Sequence, residues 1–252
     1  HEGFTLEENP FIARRKKILD TNSLFLADYS FDSEPLVSII ILNRNGLGHL
    51  QRLFGDFDKK TNYSNYEIIV VDNASCDKSV EYLYSLDLPI TVIENSENVS
   101  FSKGNNDAAK IANGEYILLL NNDIEVTENF IEEMLSAIKR HPKAFSCAAR
   151  MIQFHDRDRL DDAGNYYCAL GWAYARGKGK NIHTYEKEEK IFASCAGAAI
   201  YRKKIFDELG YFDEEHFAYL EDMDVGYRAR IYGYENWYAP DAMVYLSLIH
   251  IS

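Results

Sequence analysis

Tyr116-Ile117-Leu118-Leu119-Leu120-Asn121-Asn122-Asp123 runs a continuous apolar stretch straight into short polar side chains. An apolar run of that length, stopped by turn-forming residues, reads as a strand buried on both faces, the kind found in parallel sheets covered by helices. Open α/β sheets bind their ligands at the carboxyl ends of such strands, which is where Asn121, Asn122 and Asp123 fall. A carboxylate there can hold a hard divalent cation against substrate phosphates, and the two Asn amides can hydrogen-bond without adding negative charge. The same residues can also simply turn the chain, with Thr127 capping a helix that runs from 128 toward 140. Other segments have to separate the two readings.

Working outward, apolar runs at 37–42, 68–71 and 90–93 alternate with helix-like stretches, the pattern of βαβ units and a mostly parallel sheet flanked by helices. Polar residues follow these runs: Asn43-Arg44-Asn45-Gly46 after the first and Asp72-Asn73 after the second. Asp77 is placed to cap a helix burying Val80, Leu83 and Tyr84, while Ala108, Ala109, Ile111 and Ala112 predict a short helix closed by Gly114. From 151 to 190 the apolar periodicity fades, which predicts long loops, either a functional lid or a surface excursion. Order returns over 191–201, followed by helices around 204–209 and from Glu221-Asp222 to Gly233, then a strand pair at 236–239 and 242–245.

A chain of 252 residues, 46% hydrophobic and 13% aromatic, can bury a single substantial core, so one domain with extensions is expected. The net charge of −13 argues against general nucleic-acid binding and against unaided adhesion to anionic lipid. No apolar run approaches the roughly 20 residues that span a bilayer, and no secretory signal is visible. Cys76, Cys147, Cys168 and Cys195 lack metal-ligand spacing, which favours reduced cytosolic thiols. The basic cluster from Arg14 to Lys17 reads as a solvated helix face or linker.

Three further constellations carry chemistry. Asp72, at a strand end, is placed to accept hydrogen bonds from a base or ribose, or else is a turn residue. Gly46-Leu47-Gly48 after the first strand opens a dinucleotide-binding alternative, but Gln51 stands where its third glycine belongs. The segment from Asn98 to Asn106 offers amides and Lys103 near a helix start, suited to oxygen-rich or phosphorylated ligands; an Asn-rich turn is the other reading. Finally, Phe217-Ala218-Tyr219-Leu220-Glu221-Asp222-Met223-Asp224 crowds carboxylates behind aromatic residues. Crowding raises carboxylate pKa values and can produce a general base, although helix starts also attract acids for structural reasons.

In this order the segments resemble the family 2 glycosyltransferases with the nucleotide-diphospho-sugar-binding GT-A fold, particularly their bacterial rhamnosyltransferase-like branch. The resemblance covers about 35–245. It is carried by Val37 to Asn43, Ile69 to Ser75, Asn98 to Asn106, Gly114 to Asp123, Ala196-Gly197-Ala198, Gly210-Tyr211-Phe212-Asp213-Glu214 and Tyr219 to Asp224. It implies an α/β architecture with a Rossmann-like, mostly parallel central sheet. It implies nucleoside contacts at Asn43 and Asp72, and a nucleotide-sugar pocket lined by Asn98, Gly104, Asn105, Asn121 and Asn122. Gly197 and Ala198 would border the donor sugar, Asp123 would be the carboxylate for Mn²⁺ or Mg²⁺, and Asp222 the general base.

The activity implied is inverting transfer of the hexosyltransferase type, from a UDP- or dTDP-sugar to a hydroxyl of a glycan or lipid-linked acceptor in cell-surface polysaccharide biosynthesis. The location implied is cytoplasmic, with peripheral association at the inner face of the cytoplasmic membrane. A catalytically silent sugar-nucleotide-binding module and a nicotinamide-dependent oxidoreductase are the alternatives. Two positions depart from the family pattern: Ser100 stands where Gly is usual, and Leu246 stands where a metal-binding His follows a pair like Val244-Tyr245. One reverse translation of the last seven residues, CTG TCT CTT ATA CAC ATC TC, matches a transposase sequencing adaptor. The expected division is therefore a 1–34 extension or linker, a 35–245 GT-A domain on a truncated gene fragment, and a non-native 246–252 tail in which His250 is no ligand.

Overall fold

The computed structural model describes residues 34–247. The basic cluster from Arg14 to Lys17 and His250 lie outside the described residues. Along the first half run β1 (Val37–Asn43), α1 (Leu47–Phe54), β2 (Tyr66–Asn73), α2 (Ser79–Tyr84), β3 (Ile90–Asn95), α3 (Phe101–Ile111) and β4 (Tyr116–Asn121). The four strands are parallel in the order β3-β2-β1-β4.

Strand alternation divides the apolar runs between two cores. Val37, Ile39, Ile41, Ile68, Val70, Leu118 and Leu120 point to one face, against Leu50, Leu53 and Phe54 of α1. Ile40, Ile69, Val71, Ile117 and Leu119 point to the other, against Ala108 and Ala109 of α3. Helices therefore cover both faces, which is why these strands read as continuous apolar runs rather than alternating ones. Each fully buried branched side chain contributes about 1.5–3 kcal/mol relative to exposure.

The second half continues with β5 (Ile124–Val126), α4 (Phe130–Arg140), β6 (Ala144–Gln153), β7 (Leu160–Asp162), β8 (Asn165–Tyr167), β9 (Ala173–Ala175), β10 (Glu189–Ile191), β11 (Ala198–Arg202), α5 (Lys203–Leu209), α6 (Glu221–Ile231) and β12 (Glu235–Leu246). β11 is inserted antiparallel between β4 and β6, and β12 runs parallel to β6 on the far side. The parallel half is thus extended by a mixed half. Among the described residues no helix is long and apolar enough to cross a membrane, and the four cysteines are unpaired.

Several local expectations are corrected. Thr127 does not cap α4: its hydroxyl donates to the Met243 carbonyl at 2.8 Å, and Asn129, in the left-handed region at φ 58°, precedes the helix. Tyr84 is exposed and donates to Glu94, so α2 buries Leu83 without it; Asp77 accepts from the Ser79 amide just ahead of the helix and from the Leu47 amide. The helix expected from Ala108 starts at Phe101, where the Ser100 hydroxyl accepts from the Lys103 amide, and Ile111 is exposed. The final strand pair is the single strand β12, whose register against β6 shifts between Ala239 and Met243. Pro240 sits in that shift, where its missing N–H removes no ladder bond.

The stretch from 151 to 190 holds more order than long loops would. It extends β6, adds β7 and forms the β8–β9 hairpin. Within it Arg176 is 1% exposed. The guanidinium carbon lies 4.2 Å from the Tyr185 ring centre and 5.0 Å from that of Tyr238, and Nη1 is 2.9 Å from Glu189. Aromatic faces stabilise a desolvated guanidinium electrostatically, so this arginine ties the excursion to β12.

Candidate functional site

Parallel pairing brings the polar strand ends together. Asn43 lies opposite Asp72, and Leu42 opposite Asn121. Asn43 Nδ2 donates to Asp72 Oδ1 at 2.9 Å, and Asn122 Nδ2 donates to Asn43 Oδ1 at 2.9 Å. Ser75, which the sequence reading did not single out as a site residue, closes the set: its hydroxyl donates to Asp72 Oδ1 at 2.6 Å and its amide to Oδ2 at 2.9 Å. Asp72 is 2% exposed and Asn43 likewise 2%. Buried polar groups need such partners to offset lost hydration.

The glycine pair that suggested a dinucleotide site has a local explanation. A Cβ on Gly46 would fall 2.3 Å from Asn43 Oδ1 and 2.4 Å from Asn122 Nδ2, whereas one on Gly48 would meet nothing within 4 Å. Gly46 is thus required by the Asn43–Asn122 bond, and Gly48 by no close approach.

Gly197 and Ala198 arrive from β11 and the turn before it. The Asn121 amide donates to the Gly197 carbonyl at 2.8 Å, and a Cβ on Gly197 would lie 3.2 Å from Asn121 Nδ2. Ala198 pairs with Leu120. Of the segment beginning at Asn98, the first residue is exposed, and the neighbouring Val99 carbonyl accepts from Asn73 Nδ2 at 3.1 Å. Gly104 and Asn105 are inside α3. Gly104 lets the helix approach Leu42, 3.1 Å from its Cβ position, and buried Asn105 donates back to the Phe101 carbonyl. The hydrogen bonds do not join Asn98, Gly104 and Asn105 to the Asn43–Asp72–Asn122 set.

Asp123 is half-buried in the turn between β4 and β5, and its carbonyl accepts from the Ser247 amide at 3.1 Å. Leu246, at the position of the expected His, is 5% exposed and pairs with Ile124 in the core. Among the described residues no three His, Cys, Asp or Glu side chains converge as a metal cage. The side chain Asp123 brings to this turn is a carboxylate, and Ser247, whose amide bonds the Asp123 carbonyl, has its Oγ buried without a hydrogen-bond partner among the described residues. A single carboxylate fits Mg²⁺ or Mn²⁺, which keep several waters and take the rest of their shell from substrate phosphates.

Asp222 reaches this region from the start of α6. Oδ2 accepts from the Ala196 amide at 3.3 Å, one residue before Gly197, and Oδ1 accepts from the Met223 amide at 2.7 Å. Burial raises its pKa above the ordinary aspartate value, partly opposed by these amides. Of its neighbours, Glu221 is 5% exposed and burial pushes it up to about 7, with Asp222 adding to the rise. Asp224 is taken up by a structural pair with Arg228 at 2.6 Å. Tyr219 and Leu220, immediately before the helix, both have φ 71°. Left-handed backbone at bulky residues is strained, a feature that clusters at functional sites.

Sequence reasoning missed a fourth acid. Asp162, at the end of β7, is 2% exposed, and burial raises its pKa to about 7, with Asp161 and Asp222 adding to the rise. The available signal was Gly164 just beyond it, whose φ of +97° marks a tight turn.

The family model described as Glycosyl transferase family 2 matches residues 38–210. The uncharacterized protein y4gI of Sinorhizobium fredii is 27% identical over 236 residues, covering 88% of this chain and 25% of the relative. The O-antigen biosynthesis protein RfbC of Myxococcus xanthus is 25% identical, covering 81% of this chain and 17% of its own length. The chain thus spans a quarter or less of these two relatives. Among solved structures, GalNAc-T7 with UDP, GalNAc and Mn²⁺ superimposes with a TM-score of 0.72 at 16% identity, over 87% of this chain and 45% of that one. At that identity the likeness concerns the fold.

Proposed function

The chain belongs to glycosyl transferase family 2, and on that premise we propose that residues 35–245 form a catalytic unit that moves a sugar from a nucleoside-diphosphate donor to an acceptor hydroxyl with inversion. The observation that carries this reading is the joining of two strand ends, Asn43 and Asp72, with Asn122 of the turn after β4, and with Asp222 reaching Ala196 beside Gly197 and Asn121.

In this reading Asn43 and Asp72 orient the nucleoside, with Ser75 holding the Asp72 carboxylate in place. Asn98, Gly104, Asn105, Asn121 and Asn122 border the nucleotide sugar, and Gly197 and Ala198 leave room for the sugar ring. Asp123 would hold Mn²⁺ or Mg²⁺, which supplies charge neutralisation for the departing diphosphate. Asp222 takes the proton of the acceptor hydroxyl as that oxygen bonds to the anomeric carbon and the carbon–oxygen bond to the diphosphate breaks, its electron pair leaving with the phosphate. Burial suits Asp222 to the task, because a raised pKa strengthens a carboxylate as a base.

The donor is proposed to be a UDP- or dTDP-sugar and the acceptor a glycan or lipid-linked saccharide of a surface polysaccharide, in line with the relative named for O-antigen biosynthesis. The proposed location is the cytoplasmic side of the membrane that carries such acceptors. A thermal-shift panel tests the reading. Stabilisation by UDP or dTDP that depends on Mn²⁺ is expected, since a ligand that binds only the native state raises its melting temperature. Stabilisation by NAD instead, or by no nucleoside diphosphate, would overturn it; binding without donor turnover would identify a silent module.

A further inference from the structure

The Asp222 carboxylate has a third partner, drawn from the β8 segment far away in sequence. Asn165 Nδ2 lies 3.4 Å from Asp222 Oδ2 and donates to it across a separation of 57 residues. Asn165 is 9% exposed, and its backbone is fixed on both sides: its amide donates to the Ala193 carbonyl at 2.9 Å, and its carbonyl accepts from the Phe192 amide at 3.1 Å.

The turn that delivers it is equally constrained. Asp162 Oδ1 accepts from the Gly164 amide at 2.6 Å, closing an Asx-type turn. Gly164 takes φ +97°, and a Cβ there would sit 2.7 Å from Ile191. Asn165 is therefore presented to α6 by backbone that few substitutions would reproduce.

A carboxylate offers about four lone-pair sites. The Ala196 amide and Asn165 both donate to Oδ2, and the Met223 amide donates to Oδ1. Oδ2 thus carries two of these donors and Oδ1 one, and the Asp222 amide itself adds a further bond to the carboxylate. Among the described residues, the other ionisable groups facing Asp222 are Glu221 on its own helix, Asp162 from β7, Cys195 before β11 and Tyr201 on β11. None of these is a cation, so a neutral amide is the side chain available to hold the charged carboxylate.

We infer that Asn165 is a positioning residue for Asp222, holding Oδ2 beside the Ala196 amide and so fixing the orientation in which the carboxylate meets the acceptor hydroxyl. The inference rests on Asp222 being the base, and the two claims separate experimentally. In the full chain labelled with ¹³C at aspartate carboxyls, the Asp222 resonance is assigned by its loss in Asp222→Asn and titrated in wild type, Asn165→Ala and Asn165→Asp. Removing the donor should shift the Asp222 titration upward, because the bond favours the charged form. Asn165→Asp, of equal size, should shift it further by setting one carboxylate against another. A folded variant whose Asp222 titrates as in wild type would overturn the positioning role, with Asn165→Asp serving if Asn165→Ala does not fold. Sugar transfer retained by Asp222→Asn would instead remove the base assignment and leave the titration result standing.

Discussion

Asn122 donates its side-chain amide to the Asn43 carbonyl oxygen at 2.9 Å, so the turn after β4 is bonded directly to the end of β1. The bond passes through space that only a glycine at 46 leaves open. Gly46→Ala should therefore break it or displace α1, destabilising the fold by about 1–3 kcal/mol as overpacking does. Nucleoside-diphosphate affinity should fall with it. Gly48→Ala, two residues on and facing open space, should be neutral or stabilising by about 0.5–1 kcal/mol, since alanine favours helix. Urea denaturation of the two variants side by side, with calorimetric titration of UDP, checks the contrast.

Asp222→Asn keeps the shape of the side chain and removes its ability to take a proton. A positioned base contributes about 10²–10⁴-fold to rate, so transfer should fall by that order while nucleotide binding stays near wild type. Initial-rate and binding measurements on the same preparation decide it. The parallel change at Asp224 should leave transfer intact, because that carboxylate is engaged with Arg228.

Why some of this was legible in the chain and some was not has a physical answer. The strands β1, β2 and β4 are buried on both faces, so they appear as unbroken apolar runs, and the polar residues that follow them, Asn43, Asp72 and Asn122, are ones the structure joins by hydrogen bonds. The region around β7, β8 and β9 is built from three-residue strands too short to show a period. Its anchor, Arg176, is a charged residue buried among tyrosine rings, which no pattern of hydrophobicity reveals. Asn165 and Asp162 were missed for the related reason that their partner Asp222 is distant in sequence. Ser75 was closer to detection: a Ser three residues after a strand-end Asp is a common turn partner.

Asp123→Ala should weaken donor binding specifically when Mn²⁺ or Mg²⁺ is present. The carboxylate is the charged oxygen donor of the β4–β5 turn, and Leu246, paired with Ile124, is committed to the core. Titrating UDP with and without Mn²⁺ should show a metal-dependent gain in wild type that the variant lacks. An equal gain in both would remove Asp123 from the metal site.

Asp162 and Glu221 make a stability prediction of definite sign. Burial raises both to about 7, well above their ordinary values, so between roughly pH 4.5 and 7 the folded chain holds protons that the unfolded chain has released. Stability must then fall as pH rises through that window and level off above it. Carboxylates held low by hydrogen bonds, such as Glu67 and Asp77, act oppositely, but their contribution is lost only as pH falls below the window. The melting temperature should accordingly be a few degrees higher at pH 5 than at pH 7.5. Asp162→Asn, whose amide oxygen can still accept from Gly164, should flatten that slope and raise stability at pH 7.5. Thermal melts of wild type and variant across pH 5 to 8 test it, and a wild-type melting temperature that rises toward pH 7.5 would show that these carboxyls are ionised in the folded chain.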